Sequence, residues 1–149
     1  MFRTFNNRKI ENVENYVKDY VNKNPNAEIL IGSDSQNLGP FTKFATVIAM
    51  YNPGSGAHCI YEKWKTEKER VRQFRLLKEV EASISVANRL KDSGVDIKYI
   101  DIDINCDSKF KSSDTFATAK GWVEGSGYTC RWKNLAPLIT TAADYLVKH

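Results

Sequence analysis

The pattern that most limits how this chain can fold is a change of period part-way along it. Residues 28–34, 41–51 and 57–65 are runs rich in Ile, Val, Phe, Thr and Tyr, separated by Gly39-Pro40 and by Asn52-Pro53-Gly54-Ser55-Gly56. Such runs between turn residues are strand signals, and the short turns predict an antiparallel meander. Over residues 67–91 the spacing becomes helical, with Leu76, Leu77, Val80, Ile84, Ala87 and Leu90 on one stripe and Gly94 placed to cap the C-terminus. A strand over 95–104, a helix from Ser112 or Ser113 to about residue 124, a strand over 128–133 and a helix over 136–148 follow. An amphipathic helix over 9–23, carrying Ile10, Val13, Tyr16, Val17, Tyr20 and Val21, precedes the meander and stops at Asn24-Pro25-Asn26. The order α, β-β-β, α, β, α, β, α predicts an α/β domain with a mixed sheet covered by helices. Strand–helix–strand crossovers are parallel, so the 95–104 strand is expected beside the 28–34 strand at the centre of the sheet.

With 149 residues, 42% of them hydrophobic, the chain reads as one domain over 1–149 with a core of its own. No apolar run approaches the roughly 20 residues that span a bilayer, and residues 1–10 lack the apolar stretch of a secretory signal. A soluble, unexported protein of the cytoplasm, with no membrane partner, is expected. The three cysteines, Cys59, Cys106 and Cys130, are widely spaced and include no C-x-x-C pair, which argues for free thiols over disulfides or structural zinc. His58 adjoins Cys59, but nothing near it in sequence completes a metal site. The chain has neither a P-loop nor a G-x-G-x-x-G, so ATP or dinucleotide binding has no support. A net charge of +4 permits nucleic-acid binding without requiring it. Seven basic residues fall within 63–78 (Lys63, Lys65, Lys68, Arg70, Arg72, Arg75 and Lys78), diluted by Glu67 and Glu69. They suit either a surface that steers phosphates or a solvated helix face with ion pairs.

Chemistry enters through the carboxylates. Side chains alternate along a strand, so Ile97, Tyr99, Asp101 and Asp103 share one face of the 95–104 segment and Lys98, Ile100, Ile102 and Ile104 the other. Two aspartates inside an apolar central strand are costly unless paired or metal-bound. Asp34 ends the apolar run of the first strand, and a neighbouring strand could set it beside Asp101 or Asp103. Mg²⁺ and Mn²⁺ favour such hard oxygen donors, and two ions about 3.5–4 Å apart can drive phosphodiester hydrolysis. On pattern alone, Asp34 could equally shape a turn and Asp101 pair with a lysine. Glu79 and Glu81 both lie about 100° from the apolar stripe, so helical periodicity does not choose between them.

Ile31-Gly32-Ser33-Asp34-Ser35-Gln36, Lys78-Glu79-Val80-Glu81-Ala82-Ser83, Ile102-Asp103-Ile104-Asn105, the segment from Gly121-Trp122 to Gly127-Tyr128, and Ala143-Asp144 occur in this order. Together they resemble the YkuK-type family of predicted ribonuclease H-related nucleases, over about residues 13–148. The resemblance implies a ribonuclease H-like fold with a five-stranded mixed sheet, strand order 3-2-1-4-5, flanked by helices and preceded by the extra N-terminal helix. It implies four acidic residues, Asp34, Glu79, Asp103 and Asp144, holding two Mg²⁺ or Mn²⁺ ions. It selects Asp103 over Asp101 and Glu79 over Glu81. Ser35 and Gln36 would orient Asp34 or the scissile phosphate, and Lys133, Arg72 and Arg75 would contact the substrate backbone. The expected partner is nucleic acid: RNA, an RNA–DNA hybrid or structured DNA. One departure stands out. The family usually has Lys-Pro after the fifth strand, whereas here Lys133-Asn134 precedes Pro137. The expected function is a two-metal nuclease, and the alternative is a catalytically inactive module of the same fold that binds nucleic acid or protein. Trp64, Trp122, Tyr128 and Trp132 could stack on bases or simply fill the core.

Overall fold

The computed structural model describes residues 1–102, 113–132 and 146–148. Its elements are β1 (Arg3–Thr4), α1 (Val13–Lys23), β2 (Glu28–Leu38), β3 (Phe41–Asn52), β4 (Gly56–Glu67), α2 (Arg72–Asp92), β5 (Tyr99–Ile102), α3 (Ser113–Gly125) and β6 (Cys130–Trp132), and residues 146–148 are helical.

The sheet order is β1-β4-β3-β2-β5-β6. β2, β3 and β4 form the expected antiparallel meander, and β5 and β6 add in parallel, with β5 directly beside β2. The five expected strands therefore take the expected order, but the sheet has six strands among the described residues. β1 pairs antiparallel with the outer side of β4, through Arg3 opposite Tyr61 and Thr4 opposite Ile60. A two-residue strand has no periodicity to detect.

Several boundaries differ from expectation for local reasons. α1 begins at Val13, where Asn12 accepts a hydrogen bond from the Asn15 N–H, because Lys9 upstream is drawn into a bridge with Arg3. β2 runs on past Asp34 to Leu38, since the hairpin with β3 stays in register to its tip. There Gly39, at φ +58°, opens a two-residue turn that Pro40 completes. α2 starts at Arg72 and not at 67, because Glu67 still pairs with Phe41. The ladder of β5 opens at Tyr99, later than residue 95, because the Val95 N–H is spent on the Leu90 carbonyl at the end of α2.

Each sheet face has its own apolar cluster. On one face, α1, α2 and α3 cover the sheet, with Val17, Ile31, Ile48, Ile60, Leu90, Ile100 and Val123 buried. On the other, Leu146 and Val147 meet Leu30, Ala45, Val47, Ala49 and Tyr61. Alternation along β2 follows: Ile29 and Ile31 face the three helices, and Leu30 faces the C-terminal residues. No helix among the described residues is long and apolar enough to cross a membrane.

Candidate active site

Along the helix-covered face of β2 the residues change from Ile29 and Ile31 to Ser33 and Ser35. All of these belong to one continuous strand, so the change from methyls to hydroxyls marks where the core gives way to a polar site. Ser33 Oγ shares hydrogen bonds of 2.7 Å with Thr46 of β3 and with Ser83 of α2, and all three are buried. One helical turn before Ser83, Glu79 is only 4% exposed, and the Ser35 hydroxyl donates to it. Glu81, two residues on, is exposed. The helix thus turns Glu79 onto the sheet and Glu81 to solvent.

Ser35 is the hub of this site. Its N–H donates to Asp34 Oδ1 at 2.8 Å, and its Oγ donates to Glu79. Arg75, one turn before Glu79 on α2, donates from Nη1 to the Ser35 carbonyl at 2.9 Å and to its Oγ at 3.3 Å. Two carboxylates and a guanidinium are therefore tied to one serine. Arg75 is partly buried and engaged within the protein, whereas Arg72 is exposed in the first turn of the helix. Asp34 lies opposite Ala45 of β3, and by alternation it shares a sheet face with Gln36. Among the described residues, the buried Gln36 Oε1 accepts no hydrogen bond.

On the neighbouring strand, Asp101 stands beside Gly32 and is buried. It pairs with Arg131 of β6 and not with a lysine: Nε reaches Oδ1 at 3.0 Å and Nη2 reaches Oδ2 at 3.1 Å. The guanidinium also lies 4.5 Å from the Tyr99 ring centroid. Burial pushes the Asp101 carboxyl above the usual aspartate range, against the opposing pull of Arg131. This two-pronged pair was not visible in sequence, where Arg131 carried no pattern linking it to Asp101. Asp103, Lys133 and Asp144 lie outside the described residues, as does Cys106.

The basic stretch over 63–78 does not form one surface. Lys63 and Lys65 stand on β4, Arg75 is drawn into the serine hub, and Lys78 pairs with Glu69 at 2.8 Å. His58 Nε2 and the Tyr16 hydroxyl share a hydrogen bond of 2.6 Å and the His58 ring stacks on Tyr20, so it fastens α1 to β4. Cys59 and Cys130 are free thiols, and burial pushes Cys130 up to about 11. Trp64 stacks on Phe44, Trp132 meets Phe116 edge-on, Tyr128 is buried with its hydroxyl on Asn88, and Trp122 remains 39% exposed.

A family model described as ribonuclease H-like matches residues 9–148. The chain belongs to the ribonuclease H-like family. No curated protein matches it. Within this ribonuclease H-like chain, Asp34 of the β2 strand and Glu79 of the first long helix are the two expected acidic residues that the described structure contains, and both are bonded to Ser35. Among the described residues, no three His, Cys, Asp or Glu side chains come together as a metal-binding group. The donors are nonetheless hard oxygens of the kind a divalent cation takes: the Asp34 carboxylate and the buried Gln36 Oε1 on one face of β2, and Glu79 held through Ser35 on the other.

Proposed function

We propose that this ribonuclease H-like domain is a divalent-metal-dependent nuclease that hydrolyses phosphodiester bonds in RNA, RNA–DNA hybrid or structured DNA. The observation that carries the reading is the joint attachment of Asp34 and Glu79 to Ser35. Ser35 ties them from the two sides of β2, its hydroxyl on the buried Glu79 and its backbone N–H on Asp34, and carboxylates placed at the polar end of a central strand suit a hard divalent cation. Asp34, Glu79, Asp103 and Asp144 would hold two Mg²⁺ or Mn²⁺ ions. When bound, such ions activate a water and neutralise charge developing on the scissile phosphate.

The remaining roles belong to the chain itself. Ser35 would keep both carboxylates aimed, with Arg75 locking the serine from behind. Gln36 would offer its free oxygen on the side of the strand where Asp34 lies. Two further facts support the choice of Asp103 over Asp101. Asp101 is already neutralised by Arg131. Asp101 also pairs in register with Gly32, and Asp34 and Asp103 each follow that pair by two residues. Lys133 and Arg72 would meet the substrate backbone.

The test is cleavage of labelled single-stranded RNA, RNA–DNA hybrid, duplex DNA and a four-way junction, with Mg²⁺, Mn²⁺ or EDTA, by the parent and by Asp34→Asn. Metal-dependent cleavage that falls 10²-fold or more in the variant is the expected outcome, roughly the effect of losing one group that stabilises transition-state charge. A folded parent that cuts nothing would point to the inactive binding module instead.

A further inference from the structure

Three lysines converge on the sheet face that carries Asp34. In the ladders, Gln36 of β2 stands opposite Lys43 of β3, and Lys43 opposite Lys65 of β4. One row along, Asp34 stands opposite Ala45, and Ala45 opposite Lys63. Ala45 and Tyr61 belong to the cluster with Leu30, Leu146 and Val147, so alternation puts Lys43, Lys63 and Lys65 on that same side of the sheet. Directly paired residues sit about 5 Å apart and alternate residues on one strand about 7 Å apart. The three lysines therefore leave the sheet from neighbouring positions no more than about 8 Å apart, about the width of one phosphate backbone.

Like charges opposed across strands destabilise a sheet. The repulsion is felt here: desolvation, then Lys63 and Lys65, hold the Lys43 ammonium below the usual lysine range. Among the described residues, none of the three pairs with a carboxylate. Lys63 and Lys65 lie over the Tyr61 and Phe41 rings at 5.7 and 5.8 Å, and Phe41 at the hairpin tip is 47% exposed.

We propose that Lys43, Lys63 and Lys65 form a docking surface for the backbone of single-stranded nucleic acid, with Phe41 as a platform for an unpaired base. The proposal rests on the nuclease reading only for the identity of the polyanion. Phosphates are the ligand that relieves three clustered cations, and the patch shares its face with Asp34. A single strand fits because the patch is one backbone wide and its neighbouring aromatic ring is exposed, and stacking on such a ring needs an unpaired base.

The experiment is binding of a fluorescent single-stranded oligonucleotide in EDTA at several salt concentrations, using Asp34→Asn as the parent so that no cutting occurs. Lys43→Gln/Lys63→Gln/Lys65→Gln should weaken binding about ten-fold or more at low salt. It should also flatten the plot of log affinity against log salt by about two, near 0.7 for each lost phosphate contact to a single strand. Lys18→Gln/Lys23→Gln/Lys91→Gln removes the same charge from exposed positions on α1 and α2 and should leave the slope unchanged. The melting temperature of the first triple should not fall, since repulsion is removed. If that triple does unfold, Lys63→Gln/Lys65→Gln is read the same way, with about two thirds of the change in slope. Equal effects of the two triples, no effect of the first, tighter binding of duplex than of single strand, or equal binding of polyglutamate would each overturn the proposal. Lysine-dependent binding without any metal-dependent cleavage by the wild type would leave this surface standing and remove the nuclease reading. Cleavage without lysine dependence would do the reverse.

Discussion

Asp101 has no exposed side-chain surface, and its charge is met by Arg131 alone among the described residues. Burial raises its pKa more than Arg131 lowers it. The folded state therefore holds the proton more tightly than the unfolded chain does. The stabilisation this provides is complete below the ordinary aspartate value near ~4 and is lost as the pH rises through the folded value. Removing Arg131 leaves the carboxylate buried without its partner, so the loss should deepen. Arg131→Met should cost about 3 kcal/mol at pH 7, the lower end for a broken buried pair because Arg131 is 23% exposed. The gap should narrow towards pH 4. Urea titrations at the two pH values check this, and a gap that ignores pH would assign the loss to packing instead.

β2 and α2 meet along a seam that is apolar at one end and polar at the other. Ile29 and Ile31 pack with Val80, Ile84 and Leu90, while Ser33 bonds to Ser83 and Ser35 to Glu79. The hydroxyls hold the helix in one position along the strand, a specificity that methyl packing supplies less sharply. Ser35→Ala would remove a donor to a nearly buried carboxylate and an acceptor for Arg75. It should destabilise the domain by about 1–3 kcal/mol in thermal or urea unfolding. It should also weaken Mn²⁺ binding, because Glu79 would lose the hydroxyl that aims it, while the backbone N–H bond to Asp34 would remain. The apolar run that Asp34 ends was plain in sequence, and so was the helix that carries Glu79. The seam itself was not, because serines on a strand face give no hydrophobic signal. The hub of Ser35 and Arg75 was foreshadowed only in separate parts, Ser35 as orienting Asp34 or the scissile phosphate and Arg75 as a contact to the substrate backbone.

The proposed metal binding would be a property of the whole domain, since its expected ligands are spread over β2, α2 and segments far along the chain. A ligand that binds the folded state and not the unfolded one stabilises by mass action, by about 2.7 kcal/mol at one hundred times its dissociation constant. Mn²⁺ should therefore raise the melting temperature of the parent and leave that of Asp34→Asn nearly unmoved, as differential scanning fluorimetry would report. No shift in a well-folded parent would argue that the acidic site holds no ion. The two faces of the sheet divide the work: the face under α1, α2 and α3 holds the Ser35–Glu79 contact, and the opposite face carries Asp34, the lysine cluster and the packing of residues 146–148.

The order of elements from α1 to β6, the parallel placement of β5 against β2 and the free state of Cys59 and Cys130 were legible from periodicity, turn residues and cysteine spacing, all of which are local. What depended on packing was which member of each acidic pair meets what. Glu79 and Glu81 are equivalent on a helical wheel, and only the docking of α2 on β2 buries one and exposes the other. Asp101 became an ion-pair partner because β6 lies beside β5 and brings Arg131 opposite it from 30 residues away. Lys43 joined Lys63 and Lys65 through the register of a hairpin, and the apparent basic run over 63–78 split between a strand and a helix. Periodicity tells which way a side chain points from its own element, but the charge it meets there is set by a neighbour distant in sequence.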